Sequence, residues 1–188
     1  MNLLVLGPQG AGKGTQAKRI SEAYDIPHVS TGDMFRALDD STELGRKVKA
    51  IMDAGDLVPD DVTVAMIQER LAQPDAENGF VLDGFPRNLA QADALDAMFS
   101  AIGRTLDAIL FFDVPDDIGL QRALSRAAIE NRSDDTLEAI SRRLAIYHRE
   151  TEPIVEHYRA TGKLVPLHAE RSIDEVWDEI DDALKVVS

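Results

Sequence analysis

Residues 7–15, Gly-Pro-Gln-Gly-Ala-Gly-Lys-Gly-Thr, constrain this chain more than any other segment. They follow the apolar run Leu3-Leu4-Val5-Leu6 and precede a helical pattern. The G-x-x-x-x-G-K spacing therefore falls between a strand and a helix, where it has physical meaning. Glycines there let backbone N–H groups turn inward around phosphate oxygens, and the helix N-terminus adds the positive end of its dipole. Lys13 supplies a point charge for the β and γ phosphates. The general motif has Ser or Thr after the lysine; here Gly14 takes that place and Thr15 comes one later. A glycine-rich turn with a chance lysine would not need both flanks, so the loop predicts a nucleoside triphosphate site.

Such a loop belongs on a parallel sheet, and the rest of the chain agrees. Short apolar runs alternate with longer amphipathic stretches. Leu3-Leu4-Val5-Leu6, Phe80-Val81-Leu82, Ile109-Leu110-Phe111-Phe112 and Leu164-Val165 lack polar alternation, as strands buried on both faces do. The segment around His28-Val29 is a weaker fifth candidate. Ile173, Val176, Trp177, Ile180, Leu184 and Val187 share one face of a terminal helix, which places Trp177 in the core. Another long helix fits Leu137, Ile140, Leu144, Tyr147, Ile154 and Tyr158, and Pro153 is set to kink or divide it. Residues 41–76 read as a helical hairpin without a strand, an insertion on the sheet. One domain over residues 1–188, carrying one small lobe, is expected.

Charge narrows the function classes. Acidic residues outnumber basic ones 34 to 20, a net charge of −14. That argues against a nucleic-acid or anionic-membrane binder, both of which need a broad positive field. The chain has no cysteine, which excludes disulfides, thiolate catalysis and cysteine-ligated zinc. The apolar start lacks a basic flank, and no run approaches the roughly 20 residues of a membrane span. A soluble, cytoplasmic protein is the expectation. Asp outnumbers Glu 22 to 12 and Arg outnumbers Lys 14 to 6; a self-repelling solvated surface explains this, and a saline host is the alternative. A chain so acidic must gather its positive charge locally to handle anionic ligands.

The acids and arginines show where. Phe80-Val81-Leu82 ends at Asp83, followed by Gly84-Phe85-Pro86-Arg87. An acid closing a strand beside the phosphate loop is placed to hold Mg²⁺, directly or through water. Asp33, in Ser30-Thr31-Gly32-Asp33, is a second candidate near the metal and equally a helix cap. Arg122 and Arg126 are four apart and share a helix face, Arg132 and Arg143 flank Asp134-Asp135, and Arg36 and Arg87 lie in the earlier motifs. Phosphoryl transfer asks the protein mainly for alignment and charge stabilisation, which the planar guanidinium supplies.

Gly7 to Gln16, Ser30 to Arg36, Asp83 to Arg87 and Arg132-Ser133-Asp134-Asp135 together resemble the adenylate kinase family, in order and over essentially the whole chain. The family's loop reads G-K-G-T, so Thr15 fits it. The resemblance implies a five-stranded parallel P-loop sheet wrapped by helices, and Mg²⁺-dependent, in-line transfer from ATP to AMP giving two ADP. It places Gly10, Ala11, Gly12, Lys13, Gly14 and Thr15 on the ATP phosphates, with Thr15 also a weak metal candidate. It sets Arg122, Arg126 and Arg171 around the rest of ATP. Thr31, Arg36, Arg87 and Gln91 match AMP contacts, as do the segments Asp56-Leu57-Val58 and Gly84-Phe85-Pro86. Arg132 and Arg143 match arginines bridging the two nucleotides. Lys13, Arg87, Arg126, Arg132 and Arg143 are thus the catalytic candidates.

The resemblance also implies an AMP lobe at about residues 30–58 and a lid at about 125–135. Only Ala127 to Asn131 separate Arg126 from Arg132, so this is the short-lid form without the optional zinc site. Asn131 stands where many relatives have glycine; asparagine tolerates a left-handed turn. A monomer is expected by the same resemblance. His28, His148, His157 and His168 lack metal-ligand spacing and read as structural, and Asp39-Asp40, Asp60-Asp61 and Asp181-Asp182 as solvated or helix-start acids. Two other readings stay open: a UMP or CMP kinase, against which Thr31 and Gln91 speak, and a nucleotide-binding regulatory module with weak transfer activity, against which the arginine set speaks.

Overall fold

The computed structural model describes residues 1–130 and 134–187. Five parallel strands, β1 (Asn2–Leu6), β2 (His28–Ser30), β3 (Phe80–Asp83), β4 (Ala108–Asp113) and β5 (Leu164–His168), lie in the order β2-β3-β1-β4-β5. Between them run α1 (Lys13–Tyr24), α2 (Thr31–Arg36), α3 (Glu43–Asp53), α4 (Asp60–Leu71), α5 (Leu89–Ala101), α6 (Asp116–Glu130), α7 (Leu137–Ile146) and α8 (Glu152–Arg159), and α9 (Ile173–Val187) comes after β5. The expected strands are all present. The reading of residues 41–76 as a hairpin without a strand matches α3 and α4.

Alternation along β1 explains the layering. Leu3 and Val5 pack on one face with Ala17 and Ile20 of α1 and Val176, Ile180 and Leu184 of α9. Leu4 and Leu6 pack on the other with Ile67 of α4, Leu95 of α5 and Ile154 and Tyr158 of α8. Because both faces are covered, the central positions of β1 are all apolar, and polar residues fall only at strand ends, as at Asn2 and Asp83. The chain runs from β1 out to the edge strand β2, returns to place β3 beside β1, and then crosses to β4 and β5 on the other side. In open parallel sheets such a reversal leaves a crevice at the carboxyl ends of the strands. Register sets Val5, Asp83 and Ser30 side by side at that edge.

Helices α2, α3, α5 and α7 start on side-chain caps: Ser30, Thr42, Asn88 and Thr136 accept from the N–H of Asp33, Gly45, Gln91 and Ala139. Ser30 is therefore the cap of α2, and Asp33 lies in its first turn. The long helix expected over residues 137–158 is divided. A π turn, Tyr147–Thr151, separates α7 from α8, and Pro153 sits in the first turn of α8. Proline has no N–H and crowds the carbonyl four residues earlier, so the backbone widens before it. Ile140, Tyr147, Ile154 and Tyr158 are buried as the pattern predicts, whereas Leu137 is exposed. Trp177 is only partly buried; it closes the edge of the core under Arg19, whose guanidinium lies 4.8 Å from the ring centroid.

Each histidine has a carboxylate neighbour that sequence could not supply. His148 lies between Glu152 and Asp116, both at 2.9 Å, His157 is 3.0 Å from Asp96, and His168 is 3.1 Å from Glu179. The hydrogen bond to Glu152 raises the His148 pKa; slight burial opposes this and Asp116 adds to it. A raised histidine pKa contributes stability below the ordinary value, which is lost as pH rises through the raised one. His148→Gln should therefore unfold at lower urea than the parent at pH 5.5, by under about 1 kcal/mol given solvent screening. The gap should close by pH 9, as read by circular dichroism.

Candidate active site

The phosphate loop joins β1 to α1 with three left-handed glycines in view: Gly7, Gly10 and Gly12 have φ of 144°, 81° and 86°. Gly10 admits no side chain, because a Cβ there would come within 1.9 Å of the Gly119 carbonyl oxygen. The loop thus rests backbone to backbone on α6. Gly12 precedes α1 without any side-chain cap, and no acid stands in that helix's first turn. The first N–H groups of α1 are left for an anion. Lys13 folds over the loop, its Nζ donating to the Gly7 and Pro8 carbonyls at 2.8 Å each.

A cleft of about 880 Å³ opens above this loop. Gly10, Ala11, Gly12, Lys13, Gly14 and Thr15 line its floor. Asp33, Arg36, Asp83, Gly84, Pro86 and Arg87 form the adjoining wall, and Asp56, Leu57, Val58 and Gln91 lie further along it. Arg122, Arg126, Arg143 and Arg171 complete the lining. Two expected wall residues stand behind it. The Thr31 side chain is buried and its hydroxyl donates to the Asp83 carbonyl at 3.4 Å. Phe85 packs into the core on the α5 side of the sheet. Arg132, with Asn131 and the middle of the expected lid, lies outside the described residues.

Buried carboxylates hold the cationic side chains. Asp135 receives Arg126 at 2.5 Å, Arg143 at 2.8 Å and the Gln9 amide at 2.6 Å. Asp134 receives Arg143 at 2.9 Å and Arg36 at 3.4 Å, and Arg36 also meets Asp33 at 2.8 Å. Burial opposes ionisation of Asp134, but Arg143 and Arg36 outweigh it and hold the carboxyl below its ordinary range. Arg143 additionally donates to the Met52 carbonyl at 2.8 Å, and Arg142 pairs with Asp56 at 2.5 Å. Arg122 donates to the Ala169, Glu170 and Arg171 carbonyls at 2.6–3.3 Å.

Asp83 faces His28 across 3.6 Å. Burial disfavours its charged form, but His28, Lys13 and Arg87 prevail and lower its pKa. Burial is also the largest influence on Arg87, whose pKa falls further through Arg143; Asp83 opposes and Arg36 adds. Lys13 is drawn down to about 8, first by desolvation, with Asp83 opposing and Arg87 and Arg126 assisting. The cleft is thus a concentration of positive charge in an acidic chain.

Sequence reasoning missed several participants. Asp134 and Asp135 read as neighbours of arginines and as part of a family motif, without a role of their own, and Gln9 read only as part of the loop. Asp60 read as a helix-start acid; it does open α4, but its Oδ1 also accepts from Asn88 Nδ2 at 3.0 Å and Gln91 Nε2 at 2.7 Å. Thr63, buried on the cleft wall, donates to the Pro59 carbonyl at 3.1 Å. The spacing Asn88-x-x-Gln91 was the one available signal, since it is a helix-cap pattern.

A phosphate loop at the carboxyl edge of a parallel sheet, opening into one cleft lined by several arginines, is the architecture of the P-loop nucleotide kinases. The adenylate kinase family model matches residues 5–163. The chain is 49% identical over 190 residues to an adenylate kinase of Parvibaculum lavamentivorans, covering 99% of this chain and 93% of that protein. It is 46% identical over 186 residues to one of Stenotrophomonas maltophilia, covering 98% and 100%. A Streptomyces avermitilis adenylate kinase is 44% identical over 214 aligned residues, covering 98% and 97%. This chain has 188 residues, so that relative carries sequence that this chain lacks. The chain belongs to the adenylate kinase family.

The depressed Lys13 pKa predicts how triphosphate binding responds to pH. Lysine is charged below about 8 and neutral above, so affinity for a non-hydrolysable ATP analogue should fall as pH rises from 7 to 9. Binding near pH 8 should take up protons, visible by calorimetry in buffers of different ionisation enthalpy. Lys13→Met should bind more weakly at pH 7 and show neither effect.

Proposed function

We propose that the protein catalyses reversible phosphoryl transfer from Mg²⁺-ATP to AMP, giving two ADP. The single observation that carries this reading is one cleft whose lining joins the phosphate loop to Gln91 and Val58, with Arg36, Arg87, Arg126 and Arg143 lining it as well. A protein that only bound a triphosphate would need no cations beyond the loop's reach.

In this reading Gly10 to Thr15 and Lys13 take the ATP phosphates, with Arg122 and Arg171 bordering its base. Arg36 and Arg87 hold the AMP phosphate, while Asp56, Leu57, Val58, Gly84, Pro86 and Gln91 enclose its base and sugar. Thr31 and Phe85 support that wall from behind. Arg126, Arg143 and Arg132 carry the transferring group, with Lys13 and Arg87 on its flanks. Arginines aligned before reaction stabilise the phosphoryl oxygens without reorganising. No covalent intermediate is required, because transfer proceeds in line between bound nucleotides.

The acid beside the phosphate loop fits a hard, oxygen-seeking ion that keeps most of its waters. Asp83 would hold Mg²⁺ through water, with the Thr15 hydroxyl as a weaker candidate; Asp33 is committed to Arg36 at 2.8 Å. When bound, the ion neutralises charge on the β and γ phosphates. Zinc has no part in this reading, as the chain has no cysteine. The segment of about 30–58 would serve as the AMP lobe and about 125–135 as a short lid. Their closure keeps water from the γ-phosphate, so that ATP is transferred to AMP instead of hydrolysed. Among the described residues no helix is long and apolar enough to cross a membrane. A cytoplasmic monomer acting on ATP, AMP and ADP, without nucleic acid or membrane partners, completes the proposal.

A coupled assay with Mg²⁺-ATP against AMP, UMP, CMP and GMP tests it. ADP should form rapidly with AMP alone. A preference for UMP or CMP would overturn the acceptor, and no transfer to any acceptor would overturn the enzyme. Arg87→Ala removes a guanidinium that donates to the Gly84 carbonyl at 2.8 Å. Its kcat should fall about 10²–10³-fold, the loss typical of one transition-state donor. Affinity for the ATP analogue should persist.

A further inference from the structure

We propose that Asp60, the first residue of α4, is a positioning residue that sets acceptor-base selectivity by fixing which way the Gln91 amide faces. The proposal rests on the functional assignment of Gln91 to the AMP base.

A glutamine amide has near-identical ends, one donating and one accepting, and neighbours decide which end lies where. Here both neighbours allow only one arrangement. Arg87 N–H, which can only donate, meets Gln91 Oε1 at 2.8 Å. The Asp60 carboxylate, which when ionised can only accept, receives Gln91 Nε2 at 2.7 Å. Asn88 is tied into the same unit. Its Oδ1 accepts the Gln91 N–H at 2.8 Å and its Nδ2 donates to Asp60 Oδ1 at 3.0 Å. Gln91 is 2% exposed, so its amide has no bulk water in which to turn.

Each amide atom keeps one further bonding direction: Nε2 has its second hydrogen and Oε1 its second lone pair. Donor and acceptor are then presented to the cleft in a set order. On adenine, the 6-amino group donates and N1 accepts. On hypoxanthine or guanine, the 6-oxo group accepts and N1–H donates, so the same edge requires the opposite order. An amide that cannot flip accepts one order and leaves polar groups of the other base unpaired. Such unpaired groups are what make hydrogen-bonding sites selective. Asp60 takes no part in phosphate binding and needs no contact with the nucleotide to do this.

The test compares kcat/KM for AMP and for IMP, which differs from AMP in this donor–acceptor order, in the parent and in Asp60→Ala, Asp60→Asn and Gln91→Ala. In Asp60→Ala the AMP-to-IMP ratio should fall about tenfold, the scale of one hydrogen bond to a charged group. The loss should lie in KM for AMP, with kcat and KM for ATP close to parental. Asp60→Asn keeps an acceptor oxygen for both donors, so it should keep the parental ratio; loss of folded enzyme lowers both kcat/KM values together and cannot by itself change the ratio. Gln91→Ala should lose the ratio at least as far. A parental ratio in Asp60→Ala beside a lost ratio in Gln91→Ala overturns the role of Asp60 alone. A parental ratio in Gln91→Ala overturns the assignment of Gln91 to the base, and this proposal with it.

Discussion

The site depends on two buried carboxylates. Asp134 and Asp135 hold Arg36, Arg126 and Arg143 around one cleft. Guanidinium groups so close repel one another, and in a low-dielectric wall that repulsion would scatter the side chains. The carboxylates offset it. They also accept hydrogen bonds in fixed directions, which orients the planar groups before any nucleotide arrives. The −14 charge and the cationic cleft therefore do not conflict: the acids that matter most lie under the arginines, not on the surface.

The sheet supplies the second half of the arrangement. Because the strands are parallel, their carboxyl ends share one edge, and the segment leaving each strand falls over the same crevice. β1 delivers the phosphate loop, β2 the cap of α2, β3 Asp83 and Arg87, and β5 the carbonyls that receive Arg122. Residues far apart in the chain thus become neighbours without long loops. The π turn before Pro153 contributes in the same way, since Thr151 donates to the Arg87 carbonyl at 2.6 Å and steadies the segment after β3.

Much of this was legible in the sequence, for a physical reason. Strands buried on both faces leave uninterrupted apolar runs, and a phosphate loop needs its glycines at set intervals. Pro153 announced a break in the long helix, though not the widened turn that precedes it. What stayed hidden are pairings across large separations. Asp60 looks like any acid opening a helix, because its partners Asn88 and Gln91 come 28 and 31 residues later. The same holds for Gln9 and Asp135, 126 residues apart. Thr31 and Phe85 matched a motif by position, yet position alone does not say which way a side chain turns: one faces the Asp83 backbone and the other the core.

The contact between Gly10 and Gly119 gives α6 a further property. Main chain touches main chain there, so the helix has no side-chain cushion by which to slide along the loop. Arg122 and Arg126 come three and seven residues after Gly119, about 4.5 and 10.5 Å along the axis at 1.5 Å per residue. The helix therefore works as a ruler with its zero mark pinned at the phosphate loop. Distance from loop to guanidinium is counted in peptide units, and a single residue inserted between Gly119 and Arg126 would turn the later marks through about 100°, off the cleft altogether.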